Sequence, residues 1–98
     1  MSKSIQRLAE IDRIIHEPAR LMIVALLAAV EEADFQYLRL ATRLTQGNLS
    51  THLSKLAEAE YVELEKTFRG KYPLTICRLT ARGKEVLDKY RKVMRAAL

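Results

Sequence analysis

The chain has a single cysteine, Cys77, among its 98 residues. An internal disulfide is therefore impossible, and a lone thiol fits a reducing compartment. Long hydrophobic runs are missing too. The longest apolar stretch, Leu21–Val30, falls well short of the ~20 residues that span a bilayer, so it reads as a buried helix. Residues Met1 to Arg7 lack the apolar stretch of a secretory signal. The expectation is a cytoplasmic protein without membrane contact. The chain also shows no carboxylate pair, no nucleophile with a neighbouring base and no glycine-rich phosphate loop, so neither an enzyme nor a cofactor is expected. The candidate metal ligands are His16, His52 and Cys77. They fall on a helix end, a second helix and a strand without ligand spacing, so no metal site is expected. Cys77 reads as a small core residue. Repeats, low-complexity segments and long linkers are absent, which leaves one domain over residues 1–98.

What is present is a globular balance, with 49% apolar and 30% charged residues and a net charge of +5. A positive balance favours polyanionic partners. The charge is uneven: residues 1–60 hold seven Lys/Arg and eight Asp/Glu, whereas residues 66–98 hold ten Lys/Arg against only Glu85 and Asp88.

The stretch from Thr45 to Leu56 organises the rest. Leu49, Leu53 and Leu56 recur at i, i+4, i+7 and form one apolar stripe of a helix. Gly47, Thr51, Ser54 and Lys55 lie opposite, with Asn48 and Ser50 at the margins. That face carries short hydrogen-bonding groups and no acid before Glu58. Such a face suits a closely apposed hydrogen-bonding surface, and the major groove of DNA, which admits a helix and displays base-edge donors and acceptors, is one. Thr45 can cap the helix through the amide of Gly47 or Asn48. Gly47 costs about 1 kcal/mol of helix stability against Ala and lets the helix N-terminus approach a phosphate or base closely.

Along the chain, residues 4–16 read as a first helix with Ile5, Leu8, Ile11 and Ile15 near one face. Pro18 fits the first turn of a second helix, which is apolar nearly all round from Arg20 to Val30 and should be central in the core. Glu31 to Asp34 supply a polar turn, and Phe35 begins a brief strand. Residues 37–44 form a short helix with Leu40 and Leu44 at i, i+4, and the Thr45–Glu60 helix follows after a tight turn. Two helices joined so closely make a helix-turn-helix, over about residues 36–60. Tyr61–Phe68 alternates apolar and charged residues, which indicates a half-buried strand. Arg69-Gly70-Lys71 is a turn, and Pro73 belongs at a strand start or edge. Residues 74–79 return, closing a hairpin over about 61–79. Thr80 caps a last helix over about 80–97, where Val86, Leu87, Tyr90, Val93, Met94 and Ala97 form a seam for another helix. The class is mainly α with a small β-hairpin (α+β).

This order resembles a winged helix-turn-helix, and the chain resembles the small winged-helix transcriptional regulators of bacteria and archaea related to the multiple-antibiotic-resistance and arsenic-repressor regulators. It is most similar to their short winged helix DNA-binding domain group. The matching segments are Ile14–Leu21, Leu44–Leu53, Leu56–Val62, Phe68–Lys71 and Arg78–Gly83. One departure is Glu60, where Gly is frequent in that group, which puts strain on the helix–strand turn. The resemblance implies a homodimer, sequence-specific binding of double-stranded DNA and control of transcription. The candidate DNA-binding residues of this helix and hairpin are Arg43, Thr45, Gln46, Gly47, Asn48, Ser50, Thr51, His52, Ser54, Lys55, Arg69, Gly70, Lys71 and Tyr72.

In that scheme Gln46 and Asn48 pair with adenine edges or phosphates, Ser50, Thr51 and Ser54 donate to bases or phosphates, and Lys55 holds a phosphate or guanine. Arg69 and Lys71 reach the backbone or the adjacent minor groove. N- and C-terminal dimerisation helices meet through Ile5, Leu8, Ile11, Ile15, Leu87, Tyr90, Val93, Met94 and Ala97. A small-molecule effector is left open as a further partner, with Met22, Phe35 and Tyr37 as pocket candidates. The competing reading is a winged-helix protein–protein module without sequence-specific DNA binding, which calls for an apolar or acidic face where this one is polar and acid-free.

Overall fold

The computed structural model describes residues 3–98. The elements run α1 (Lys3–Gln6), a 3-10 turn (Arg7–Glu10), α2 (Pro18–Val30), β1 (Glu32–Asp34), α3 (Phe35–Thr42), α4 (Gln46–Glu58), β2 (Val62–Arg69), β3 (Tyr72–Leu79) and α5 (Ala81–Ala97). The three strands form one antiparallel sheet in the order β1-β3-β2.

The expected first helix over residues 4–16 is broken. Ile11 adopts an extended backbone, with φ −59° and ψ 137°. Directly after it, the Asp12 carboxylate accepts hydrogen bonds from the Ile14 and Ile15 amides, both at 2.9 Å, and from the Tyr61 hydroxyl. A short acidic side chain that bonds its own downstream amides competes with the helix ladder. The chain therefore turns at Asp12 and delivers Ile15, fully buried, into the core.

Helix α2 starts where Pro18 is tolerated, at the first helical position. Its cap is Glu17, whose carboxylate accepts from the Ala19 and Arg20 amides at 3.0 Å each. Ala19, Ile23, Val24 and Leu27 are buried, whereas Met22 and Val30 face outward. At its end Glu31 takes a positive φ of 72° and redirects the chain into β1. The polar segment anticipated as a turn thus becomes a third strand, with Ala33 opposite Cys77. Phe35 starts α3 instead of a strand, because the Asp34 side chain caps that helix through the Tyr37 amide. The inward stripe of α3 is Leu38 and Thr42, both buried; the expected Leu40 points out, 70% exposed.

Leu49, Leu53 and Leu56 of α4 complete the core with Val62, Cys77, Leu79, Leu87 and Tyr90. Burial pushes the Cys77 thiol up to about 11, with Asp34 adding to the effect, so it stays protonated. The junction between α4 and β2 confirms the strain foreseen at Glu60, which sits at φ 66°. There the Tyr61 amide donates to the Leu56 carbonyl at 2.9 Å. The start of α5 lies against this junction: the Thr80 amide donates to the Tyr61 carbonyl at 3.0 Å, and Gly83 is buried facing that same carbonyl.

The hairpin is less buried than the alternation suggested. On β2 only Val62 is buried. The reason is length: β1 covers β3 only from Ile76 to Arg78, so the outer part of the hairpin is a two-stranded wing without a third strand or helix behind it.

Candidate nucleic-acid interface

Helix α3 ends in a three-residue turn, Arg43-Leu44-Thr45. Arg43 occupies the left-handed region at φ 60° and its amide closes α3 on the Arg39 carbonyl. The buried Thr42 hydroxyl ties back to the Leu38 carbonyl at 2.7 Å. Thr45 caps α4, its hydroxyl accepting from the Asn48 amide at 3.1 Å. The chain thus enters α4 at an angle set by two threonines and one strained arginine.

The two sides of α4 separate cleanly. Leu49, Leu53 and Leu56 are 0–2% exposed. Gln46, Gly47, Asn48, Ser50, Thr51, Ser54 and Lys55 are all exposed. A Cβ built on Gly47 meets nothing within 4 Å, so the fold itself gives no reason for glycine there.

His52 is the member of the expected set that lies elsewhere. Its Nδ1 stands 3.2 Å from Arg20 Nη1 and 3.5 Å from Glu17 Oε2, and its side chain is 21% exposed. The helical advance turns position 52 toward the start of α2, so His52 braces α4 against α2 instead of facing outward. Arg20 in turn donates from Nε to the Ile14 carbonyl. Burial raises the Glu17 pKa, but the Ala19 and Arg20 amides, His52 and Arg20 together more than offset this, and the carboxyl lies below its ordinary value. This node was not legible in the sequence, since its three residues come from two helices.

The wing carries the rest. Arg69 pairs with Tyr72 across a two-residue turn, Gly70-Lys71, and Gly70 takes φ 62°, a conformation glycine adopts without penalty. Arg69, Gly70, Lys71 and Tyr72 are all exposed. Phe68, 70% exposed, and Lys66 stand on the same ribbon and were not singled out; a lysine and a ring two residues apart on an alternating strand were the available signal. Among the described residues, Arg43, Lys55, Lys66, Arg69 and Lys71 make no ion pair. The cations behind them are occupied. Arg78 is held by Glu65 at 2.8 Å and Glu32 at 3.2 Å, which raises its pKa further, and Arg82 is held by Glu60 at 3.0 Å. Five cations without an ion pair thus lie on the turn before α4, on α4 and on the wing, and α5 carries a further set in Lys84, Lys89, Lys92 and Arg95.

The expected self-association stripe divides. Ile15, Leu87, Tyr90 and Val93 are 0–9% exposed and belong to the protomer's own core. The Tyr90 hydroxyl lies 3.0 Å from His16 Nδ1. Ile5 remains 47% exposed, and Leu8, Ile11, Met94 and Ala97 are half-buried. A cleft of about 350 Å³ lies here, lined by Leu8, Ile11, Arg13, His16, Met94 and Leu98 among others. The pocket candidates Met22, Phe35 and Tyr37 do not line it. No helix among the described residues is long and apolar enough to cross a membrane.

Comparison with known proteins agrees with this geometry. Residues 19–98 match the family described as winged helix DNA-binding domain. An uncharacterised protein of Methanocaldococcus jannaschii is 36% identical over 78 residues, covering 80% of this chain and 85% of that protein. Among solved structures, a transcriptional regulator homologue from Pyrococcus horikoshii OT3 superposes with a TM-score of 0.87 at 28% identity, covering 93% of this chain and 92% of its own. A MarR-family transcriptional regulator from Silicibacter pomeroyi and NadR, solved in complex with 4-hydroxyphenylacetate, share the fold at a TM-score of 0.69 and 21% identity each. This chain spans 60% and 65% of their respective lengths.

Proposed function

We propose, from the premise that this chain belongs to the winged helix DNA-binding domain family, whose members are transcriptional regulators and not enzymes, that it reads specific duplex sequences as a homodimer. The observation that carries this reading is the two-sided character of α4. Its leucines are buried, and its outer side exposes polar groups and Lys55, without an acid from Arg43 to Lys55; Glu58 in the last turn is the first acid on it. Such a surface can approach base edges closely and can exchange hydrogen bonds with them. In this reading Gln46, Asn48, Ser50, Thr51 and Ser54 face bases or phosphates. Arg43, Lys55, Arg69 and Lys71 neutralise phosphates, each adding about 0.9 to the slope of binding against salt. The acid-free face is what a purely protein-binding winged helix lacks reason to keep.

The homodimer is supported by the partly exposed apolar residues Ile5, Leu8, Ile11, Met94 and Ala97 on the N-terminal segment and α5. Joining two copies there by a two-fold axis presents two α4 helices to a palindromic site, with half-sites about one helical turn apart. A small-molecule effector would find its cleft at the same place, between the N-terminal segment and α5; the ligand solved with NadR supports this only by analogy of fold. Cytoplasmic location follows from the same role.

Selection from a random pool of duplexes with the purified protein tests the reading. The expected result is an enriched palindrome, bound by a sedimenting dimer and more weakly as salt rises. Recovery of no preferred sequence, with a monomer in sedimentation, overturns it.

A further inference from the structure

The outer part of the wing carries more than positive charge. Phe68 and Tyr72 are 70% and 77% exposed, although six aromatic residues are all the chain has. Both flank the turn, in adjacent cross-strand pairs, Phe68 with Pro73 and Arg69 with Tyr72. Alternation along a strand places successive pairs on opposite faces, so one ring lies on each face. Each ring has a cation on its own face: Lys66 two residues before Phe68, and Arg69 opposite Tyr72. Lys71 occupies the turn between them. The two rings lie about 10 and about 14 Å beyond Ile76, where β1 ends, at about 3.4 Å per residue. No element of the protomer covers it.

A ring beside a cation, repeated on both faces, matches the wall of a nucleic-acid groove, where an apolar sugar lies beside a phosphate. A second copy of this tip is a poor occupant, because it brings three more unpaired cations against the first three. Size then decides how the groove is entered. A ribbon with side chains on both faces is about 10 Å thick, taking the spacing of stacked sheets as a guide. The minor groove of B-DNA is about 6 Å wide. The tip cannot enter with both rings unless the groove opens.

Resting on the DNA-binding reading above, we propose that the wing is a wedge that widens the minor groove beside the α4 site, with Phe68 and Tyr72 each lying on one sugar wall. The protein thereby selects duplex by deformability at base pairs whose edges it does not read. Flexible pyrimidine–purine steps open readily, whereas A-tracts are stiff and narrow. This is the reverse of the preference that an arginine-only wing would show.

The test takes a duplex recovered by selection with the intact protein, keeps its central sequence, and replaces the flanks with A-tracts or with TA and CA steps. Anisotropy titrations then compare wild type, the double variant Phe68→Ala/Tyr72→Ala, and Lys71→Ala. Wild type is expected to bind the flexible flanks about tenfold more tightly. The double variant, altered only at exposed positions and checked by its melting temperature, is expected to bind both flanks alike within about twofold. Lys71→Ala is expected to weaken both equally. A wild type indifferent to the flanks or favouring A-tracts overturns the proposal, as does a flank preference that survives the double variant, while DNA binding by α4 stands. Failure of wild type to bind any duplex overturns the DNA-binding reading itself.

Discussion

Helices α4 and α5 begin alike and serve different ends. Each is capped by a threonine hydroxyl on a first-turn amide, Thr45 to Asn48 at 3.1 Å and Thr80 to Gly83 at 3.0 Å. Each carries a glycine in that turn, Gly47 or Gly83. The surroundings differ completely. A Cβ on Gly83 would stand 2.2 Å from the Tyr61 carbonyl oxygen and 2.7 Å from Leu79, whereas a Cβ on Gly47 meets nothing within 4 Å. Gly83 is required by the fold; Gly47 is not, and weakens an exposed helix for no internal gain. The same residue type in the same helical setting is therefore required by packing at one position and not at the other, and space decides which is which; the binding role proposed for Gly47 is what the second leaves open to test.

The sharpest way to break this comparison is Gly83→Ala. The obstructing atom is backbone and cannot swing away, so urea unfolding should show a loss of about 3 kcal/mol or more, with DNA binding reduced only as far as the protein unfolds. Next come the readers on α4. Gln46→Ala or Asn48→Ala should cost about 1–3 kcal/mol of discrimination between selected and scrambled duplex, at unchanged melting temperature. Lys71→Ala should instead weaken both duplexes alike and lower the salt slope by about 1. Equal behaviour of the two classes would dissolve the division between base readers and phosphate anchors. Gly47→Ala sharpens the contrast with Gly83 directly: it should raise stability by up to about 1 kcal/mol while weakening DNA binding in anisotropy titrations.

Much of this division was readable from the chain, and the reason is local. Leu49, Leu53 and Leu56 repeat with a helical period, so the exposed side of α4 followed without any long-range contact. Gly70 between two cations announced the wing tip in the same way. What could not be read depends on residues distant in sequence. Asp12 breaks the first helix partly because Tyr61, 49 residues later, bonds its other carboxylate oxygen. Residues Glu32 to Asp34 become a strand because β3 offers an edge. His52 turns inward because Glu17 and Arg20 meet it. On α3 the i, i+4 pair Leu40 and Leu44 did not mark the inward side, which Leu38 and Thr42 fill.

The bracing node gives a smaller, pH-dependent effect. The Glu17 pKa is lowered in the folded protein from an ordinary 4.5. Its contribution is therefore present above about 4.5 and lost as pH falls through the lower folded value. Glu17→Gln should flatten the acid limb of the stability curve, with a loss at neutral pH of under about 1 kcal/mol, measured by denaturation across pH.

The central claim, that the outer side of α4 and the wing tip form one surface for duplex DNA, is tested most directly by backbone amide NMR during titration with a selected duplex. The account expects the largest shifts at Thr45 to Lys55 and at Arg69 to Tyr72, with the α2 core residues Ile23 to Leu27 nearly still. Shifts confined to α3 or α5, with the Gln46, Gly47 and Asn48 amides unmoved at saturation, would contradict it.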